Sequence, residues 1–187
     1  MRKRITLLLI SLVTAFSLAA CSTATKKNDQ SSMENMKHGT MSDMNHSSSG
    51  EIPKGLKEEK NSTYKVDSQV IVKADHMEGM NGTKATVVGA YDTTAYTVSY
   101  TPTTGGAKVT NHKWVIQEEI KNAGDETLKP GTEVTLEADH MKGMMGAKGT
   151  IDSAEKTTVY MIDYTPTTGG EKITNHKWVT ENELSTK

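Results

Sequence analysis

Beyond its first twenty residues this chain contains no arginine, and over its whole length it has a single cysteine, Cys21. One thiol excludes a disulfide framework and any site built from several thiolates. Without arginine or a run of lysines there is no basic patch to neutralise a phosphate backbone, so nucleic acid is a poor partner. Catalytic signatures are missing as well: no HExxH occurs, the glycine-containing loops lack the GK[ST] ending of a phosphate cradle, and no Ser/His/Asp set can be picked out. Asp75 and His76 are adjacent, but neighbours on an extended strand point to opposite faces. The expectation is a protein that is not an enzyme.

Long apolar runs are scarce too. The one at the start, Ile5 to Ala20, is short for a membrane span and follows the basic residues Arg2, Lys3 and Arg4. It ends in Leu18-Ala19-Ala20-Cys21, small residues placed where a lipoprotein peptidase cuts. Residues 1–20 are therefore expected to be a lipoprotein signal peptide, with a diacylglyceryl group on Cys21. Two acyl chains give stable anchoring in the outer leaflet of the cell membrane, on its extracytoplasmic face. Loss of the leader leaves 19 of the 22 basic residues against 23 acidic ones, a mildly acidic mature chain.

Residues 21–62 are rich in Ser, Asn, Lys, Glu and Met and carry no periodic apolar stripe, which predicts a disordered tether. Within it Met33, Met36 and His38 are followed at once by Met41, Met44 and His46, one M-x-x-M-x-H pattern repeated after eight residues. Thioether sulfur is soft and uncharged, suits Cu(I), and escapes the oxidation that disables thiols outside the cell. Histidine adds a donor that holds copper in either oxidation state. The polar neighbours give these methionines nothing to pack against.

The remainder is a duplication. At an offset of 64 residues, positions 75–115 and 139–179 agree at about 26 of 41 places without a gap. Apolar residues alternate with period two: Val70, Val72 and Ala74, then Tyr96, Val98 and Tyr100, with Val134, Leu136, Ala138, Tyr160, Ile162 and Tyr164 in the second copy. That period predicts strands with one buried face, leaving Thr97, Ser99, Met161 and Asp163 on the other. Asp92-Thr93-Thr94 reads as a turn between two strands of the first copy, and Glu118-Glu119-Ile120 as one turn of 3₁₀ helix. The fold class expected is mainly β, with two tandem SH3-like (KOW-like) barrels: a first repeat at 63–122 and a second at 123–187. Curling removes the exposed edges of so small a sheet.

Each copy offers a second metal candidate in a glycine-containing loop: His76, Met77 and Met80 in the first, His140, Met141 and Met144 in the second. Glycine lets such a loop turn tightly enough to aim its donors at one point. The competing structural reading makes the methionines plugs of the barrel end and the histidines hydrogen-bonded loop residues. A third element, Asn111-His112-Lys113-Trp114, recurs as Asn175-His176-Lys177-Trp178. The tryptophans fit core lids, or indoles shielding an ion held by His112 and His176.

The lipobox, the Met/His tail and the doubled DHMxGM, YTPTTGG and TNHKWV segments together resemble the YdhK-like lipoproteins of Gram-positive bacteria, a family that includes surface copper-resistance lipoproteins. The resemblance spans essentially the whole chain. It implies a copper-binding lipoprotein on the outer face of the membrane, acting beside copper-exporting ATPases to limit copper toxicity. The function expected is sequestration or hand-over of copper, Cu(I) favoured and Cu(II) also accommodated. The rival reading is a cell-wall or peptide-binding tandem SH3-like module, which needs Tyr96, Tyr100 and Trp114 exposed along a groove. Zn(II) or Ag(I) as the working metal is a third, zinc preferring more histidine and carboxylate.

Overall fold

A computed structural model describes residues 47–186. The signal peptide, Cys21 and the donors Met33, Met36, His38, Met41, Met44 and His46 lie outside the described residues.

Eight strands form along the chain: β1 (Lys57–Glu58), β2 (Gln69–Val72), β3 (Lys84–Tyr100), β4 (Val109–Ile116), β5 (Glu133–Thr135), β6 (Lys148–Tyr164), β7 (Ile173–Thr180) and β8 (Leu184–Ser185). Single 3₁₀ turns, Gln117–Glu119 and Glu181–Glu183, follow β4 and β7, and no α-helix occurs among the described residues. All eight strands belong to one sheet, with the path β5-β6-β3-β2-β8 and β1, β4 and β7 paired at its sides. The mainly β class and the doubling follow from this, but the sheet is not closed into two separate rings.

The difference arises at Asp92-Thr93-Thr94. Instead of turning back on itself, the chain runs straight through as the middle of the 17-residue β3. These residues pair with Thr158, Thr157 and Lys156 in the middle of β6, the equally long strand of the second copy. Threonine is β-branched and fits a pleated strand as well as a turn, so a pairing partner decides between the two.

Exchange of strand halves mixes the copies. One core joins Val70, Val72, Met80, Ala85 and Val87 of the first copy to Tyr160, Ile162, Tyr164, Val179 and Leu184 of the second. Another joins Tyr96, Val98, Tyr100, Val115 and Ile120 of the first to Leu136, Ala138, Met144 and Ile151 of the second. Each core has the predicted period-two residues, yet neither is made by one copy. The packed units are therefore not the sequence repeats 63–122 and 123–187.

A third cluster explains why the face expected to be exposed is buried. Tyr91, Ala95, Trp114, Ile116, Val159, Met161 and Trp178 pack together on the positions that alternate with Tyr96 and Tyr160. Thr97 and Ser99 are buried there too, satisfied across the strand pair by Ser153 Oγ at 2.8 Å and Asp152 Oδ2 at 2.7 Å. The tether boundary also moves: Lys57 and Glu58 pair with Asp92 and Tyr91 as β1, and Leu56 packs against the third cluster. Their partners are residues distant in sequence, which the polar composition of 47–62 did not reveal.

Candidate functional site

The glycine-containing loops keep their shape through the other copy. Gly79 has φ +74°, and a Cβ there would lie 2.6 Å from Thr168 Oγ1 and 2.9 Å from Pro166. Its carbonyl accepts the Thr167 N–H at 2.8 Å, and Gly143 accepts the Thr103 N–H at 2.9 Å. Only glycine tolerates both the positive φ and so close an approach. The TPTTGG segment of each copy thus presses on the DHMxGM loop of the other.

That pressure separates the two methionines of each loop. Met80 and Met144 are fully buried, each inside one of the mixed cores. They pack, as the structural reading held, and take no place among the residues lining the cavity described next. Met77 and Met141 point the other way, half-buried against the cores while lining a cavity of about 900 Å³. The same cavity is lined by His76, His112, His140 and His176. A second, more open groove of about 1010 Å³, lined by Tyr100, Lys108, Lys121, Glu133 and Lys148 among others, carries no histidine or methionine.

Two carboxylates that composition did not single out organise the histidines. Glu183 Oε1 lies 2.6 Å from His76 Nε2, and Glu119 Oε1 lies 2.7 Å from His140 Nε2. A carboxylate accepts and does not donate, so each Nε2 carries a proton, and Nδ1 is the nitrogen that can offer a lone pair. Both Nδ1 atoms are buried and find no hydrogen-bond partner among the described residues. An oriented imidazole, its far nitrogen tied to a carboxylate and its near one left bare, is the usual form of a metal-ligating histidine.

The carboxylates are themselves fixed. Trp114 Nε1 donates to Glu183 Oε2 at 2.8 Å, and Trp178 Nε1 donates to Glu119 Oε2 at 3.1 Å. Backbone N–H groups of Thr180 and Ile116 add bonds of 3.0 and 3.2 Å to Glu183 and Glu119 respectively. Burial pushes the Glu183 carboxyl up, but the hydrogen bond and charge of His76, with the Thr180 and Trp114 N–H groups, outweigh it and hold its pKa below the ordinary value. Each dyad crosses the duplication, since His76 belongs to the first copy and Glu183 to the second. Glu119 and Glu183 stand 64 residues apart, so the repeat was the signal that could have found them; their polar 3₁₀ turns disguised them as surface.

His112 and His176 reach the cavity through a kink. Pairing of β4 with β3 shifts register on either side of Val98↔His112, and Asn111 takes φ +51°; Asn175 repeats this at +52° in β7. A bulge re-aims the side chain that follows it. His112 stands edge-on to Tyr100 at 5.9 Å and tilted to His140 at 6.4 Å between ring centroids. His176 stands edge-on to Tyr164 at 5.6 Å, and the Tyr164 hydroxyl points at Met77 Sδ, 3.9 Å away. Trp114 and Trp178 are buried lids whose faces are met by Lys113 and Lys177 Nζ at 5.2 and 5.9 Å, the place an ion shielded by the indole was expected to take.

Contacts link Met77 and His176 through Tyr164 on one side and His112 to His140 on the other, and His76 and Met141 line the same cavity. Among the described residues no three His, Cys, Asp or Glu side chains lie close enough together to hold an ion by themselves. A nitrogen, oxygen and thiolate set of that kind suits zinc. What this cavity offers is imidazole with thioether, the combination that suits Cu(I).

The family model described as "Protein of unknown function (DUF1541)" matches twice, at residues 66–117 and 130–181. The uncharacterized protein YdhK of Bacillus subtilis (strain 168) is 60% identical over 181 residues, covering 97% of this chain and 87% of that protein. A crystal structure of YdhK, a DUF1541 family protein from B. subtilis, superposes with a TM-score of 0.75 at 68% identity, covering 78% of this chain and 99% of that one. The solution structure of the YdhK C-terminal domain gives a TM-score of 0.63 at 72% identity, over 66% of this chain and 93% of the other.

Proposed function

From a chain that belongs to the YdhK-like DUF1541 family, and whose two family segments bring histidine and methionine to one cavity, we propose an extracytoplasmic copper-binding protein that sequesters or hands over Cu(I). The observation that carries this reading is the pair of buried Nδ1 atoms, His76 and His140, on rings each oriented by a carboxylate and without a hydrogen-bond partner for Nδ1 among the described residues. A bare nitrogen lone pair in a buried place costs stability unless something binds it. Met77 and Met141 line the same cavity and would add sulfur.

The chain's own residues divide the work. Glu183 and Glu119 fix the tautomer and raise the donor strength of His76 and His140. Trp114 and Trp178 hold the carboxylates through their indole N–H groups. The thioethers favour the reduced ion, while the imidazoles accommodate Cu(II) as well. The tail motifs Met33, Met36, His38 and Met41, Met44, His46 would capture copper near the membrane, where a lipid on Cys21 keeps the local ligand concentration high. A copper-exporting ATPase in the same membrane is the natural partner for hand-over in this scheme. In the same reading β2, the start of β3, the end of β6, β7 and β8 follow the strand order of an SH3-like barrel whose copies have exchanged strands.

The peptide-binding alternative has little to stand on, because Tyr96, Tyr100 and Trp114 are 0%, 1% and 6% exposed and offer no aromatic groove. The test is an anaerobic titration of the full chain against the Cu(I) chelator bicinchoninate. The chain should withdraw copper, and changing His76 and His140 together to Ala should abolish the tightest uptake while leaving the weaker uptake of the tail. Failure to withdraw any copper would overturn the reading.

A further inference from the structure

Residues 47–51 show how the second copy holds a segment of chain along the outer edge of β7. Ser48 N–H donates to the Thr174 carbonyl at 3.0 Å, and the Thr174 N–H donates to Ser47 Oγ at 3.0 Å. Ser48 Oγ donates to the Asn175 carbonyl at 2.6 Å, and Asn175 Nδ2 donates back to the Ser48 carbonyl at 3.2 Å. Lys177 Nζ closes the far end on the Glu51 carbonyl. Gly50, at φ +77°, comes so near that a Cβ there would lie 3.1 Å from the Asn175 amide. The fit selects hydroxyl residues at 47 and 48 and glycine at 50.

The first copy carries the same edge on β4. Thr110-Asn111-His112-Lys113 repeats Thr174-Asn175-His176-Lys177 residue for residue. Val109 and His112 pair with Tyr100 and Val98 as Ile173 and His176 pair with Tyr164 and Ile162, so the Thr110 N–H and carbonyl face away from β3 as those of Thr174 face away from β6. Asn111 and Asn175 share the kink, at φ +51° and +52°. Their N–H groups are tied down alike, to Ser99 Oγ at 3.1 Å and Asp163 Oδ1 at 2.8 Å. What differs is the occupant. Thr174 and Asn175 are half-buried under residues 47–51, while Thr110 and Asn111 are exposed, and no segment among the described residues bonds to them as 47–51 bonds to β7.

We propose that the Thr110–Asn111 edge of β4 is a docking site for an extended peptide of another protein, with serine or threonine at two successive positions and glycine two residues further on. The seated segment on β7 is the template for that occupant. A strand added to an open edge satisfies its backbone groups, and side chains that fit the alternate positions give specificity. This mode rests on backbone hydrogen bonds and needs no aromatic groove. A second molecule of this chain is a poor occupant, because its residues 47–51 are already seated on its own β7, and exchange would fill one edge by emptying an identical one. Thr110 and Asn111 also line the histidine cavity, so the docked peptide borders it.

The test uses the ¹⁵N-labelled full chain and a synthetic peptide with the sequence of residues 47–52, blocked at both ends. Titration should move the amide signals of Thr110 and of the Asn111 side chain, saturating on the order of 1 mM peptide. Thr174 and Asn175 should move later or not at all, because their own segment competes intramolecularly. Peptides carrying Ser48→Pro, which lacks the N–H, or Gly50→Ala, which cannot adopt the positive φ without strain, should bind about tenfold more weakly. In the chain, Asn111→Gly keeps the kink and deletes the side-chain amide, and should weaken docking several-fold with the rest of the spectrum unchanged. No shift at Thr110 and Asn111 at about ten times the expected concentration, Thr174 and Asn175 moving first or alone, or equal binding by the altered peptides would each overturn the proposal. No metal enters the test, so its result stands apart from the copper reading.

Discussion

The two packed units contain the same device in the same order, yet they differ at their rims. One unit sets Glu183, His76 and Trp114 beside Met77 and Tyr164; the other sets Glu119, His140 and Trp178 beside Met141 and Tyr100. Behind the histidines the match extends to the backbone N–H that caps each carboxylate. In front of them it breaks down. The Glu119 side chain is 4% exposed while the Glu183 side chain is 14% exposed and also meets Lys113 at 3.8 Å, and Ser47 and Ser48 bond to Thr174 and Asn175 beside His176. What the duplication holds constant is the support of the ring, and what it lets vary is access to it.

The strongest way to break this comparison is to separate the copies. Because each core takes half of its residues from the other copy, residues 63–122 alone lack the partner of β3 and should fail to form a folded monomer. Sedimentation and circular dichroism should find either an unfolded chain or a dimer that restores the exchange. A folded monomer would show that Asp92-Thr93-Thr94 can close as a hairpin after all.

Next in size is removal of the carboxylates. Glu119→Ala leaves buried N–H groups of His140, Trp178 and Ile116 without their acceptor, and should cost about 3–5 kcal/mol in urea denaturation. Glu183→Ala should cost less, because water reaches its more exposed position. Equal losses would mean that the rims do not matter to the dyads.

The loop methionines sharpen the contrast between core and cavity within each unit. Met80→Ala and Met144→Ala, both fully buried, should each cost about 2–5 kcal/mol with copper uptake otherwise retained. Met77→Ala and Met141→Ala should cost less stability and more copper affinity, read from the same denaturation and chelator titrations.

How much of this the sequence made legible follows from which contacts are local. Period-two runs at Val70–Ala74 and Tyr96–Tyr100 depend on near neighbours and were readable, as was a 3₁₀ turn, expected at Glu118–Ile120 and found one residue earlier at Gln117–Glu119. Choosing a partner for β3 was not. Two copies with the same alternation offer the same pairing inside a copy and between copies, and turn-compatible threonines do not discriminate. Glu119 and Glu183 were missed for the same reason: a glutamate in a polar turn looks exposed until the tryptophan of the other copy covers it. The two methionines of each DHMxGM loop were indistinguishable by spacing, and only the press of TPTTGG on Gly79 and Gly143 sends one into the core and the other to the cavity.

The smallest expected effect concerns the tyrosines under His112 and His176. Burial raises both phenols, Tyr164 to about 12, so each keeps its proton across the physiological range. Tyr164 spends that proton on Met77 Sδ, whereas the Tyr100 hydroxyl is buried with no hydrogen-bond partner among the described residues. Removing an unsatisfied hydroxyl relieves a desolvation penalty, so Tyr100→Phe should be neutral or stabilising by up to about 1 kcal/mol. Tyr164→Phe gives up a weak contact to sulfur and should cost a few tenths of a kcal/mol at most. The sign of the difference, measured by paired thermal melts, is the informative quantity. If both changes destabilise alike, the Tyr100 hydroxyl has a role matching that of Tyr164, and the difference between the two sites is confined to the exposure of their carboxylates.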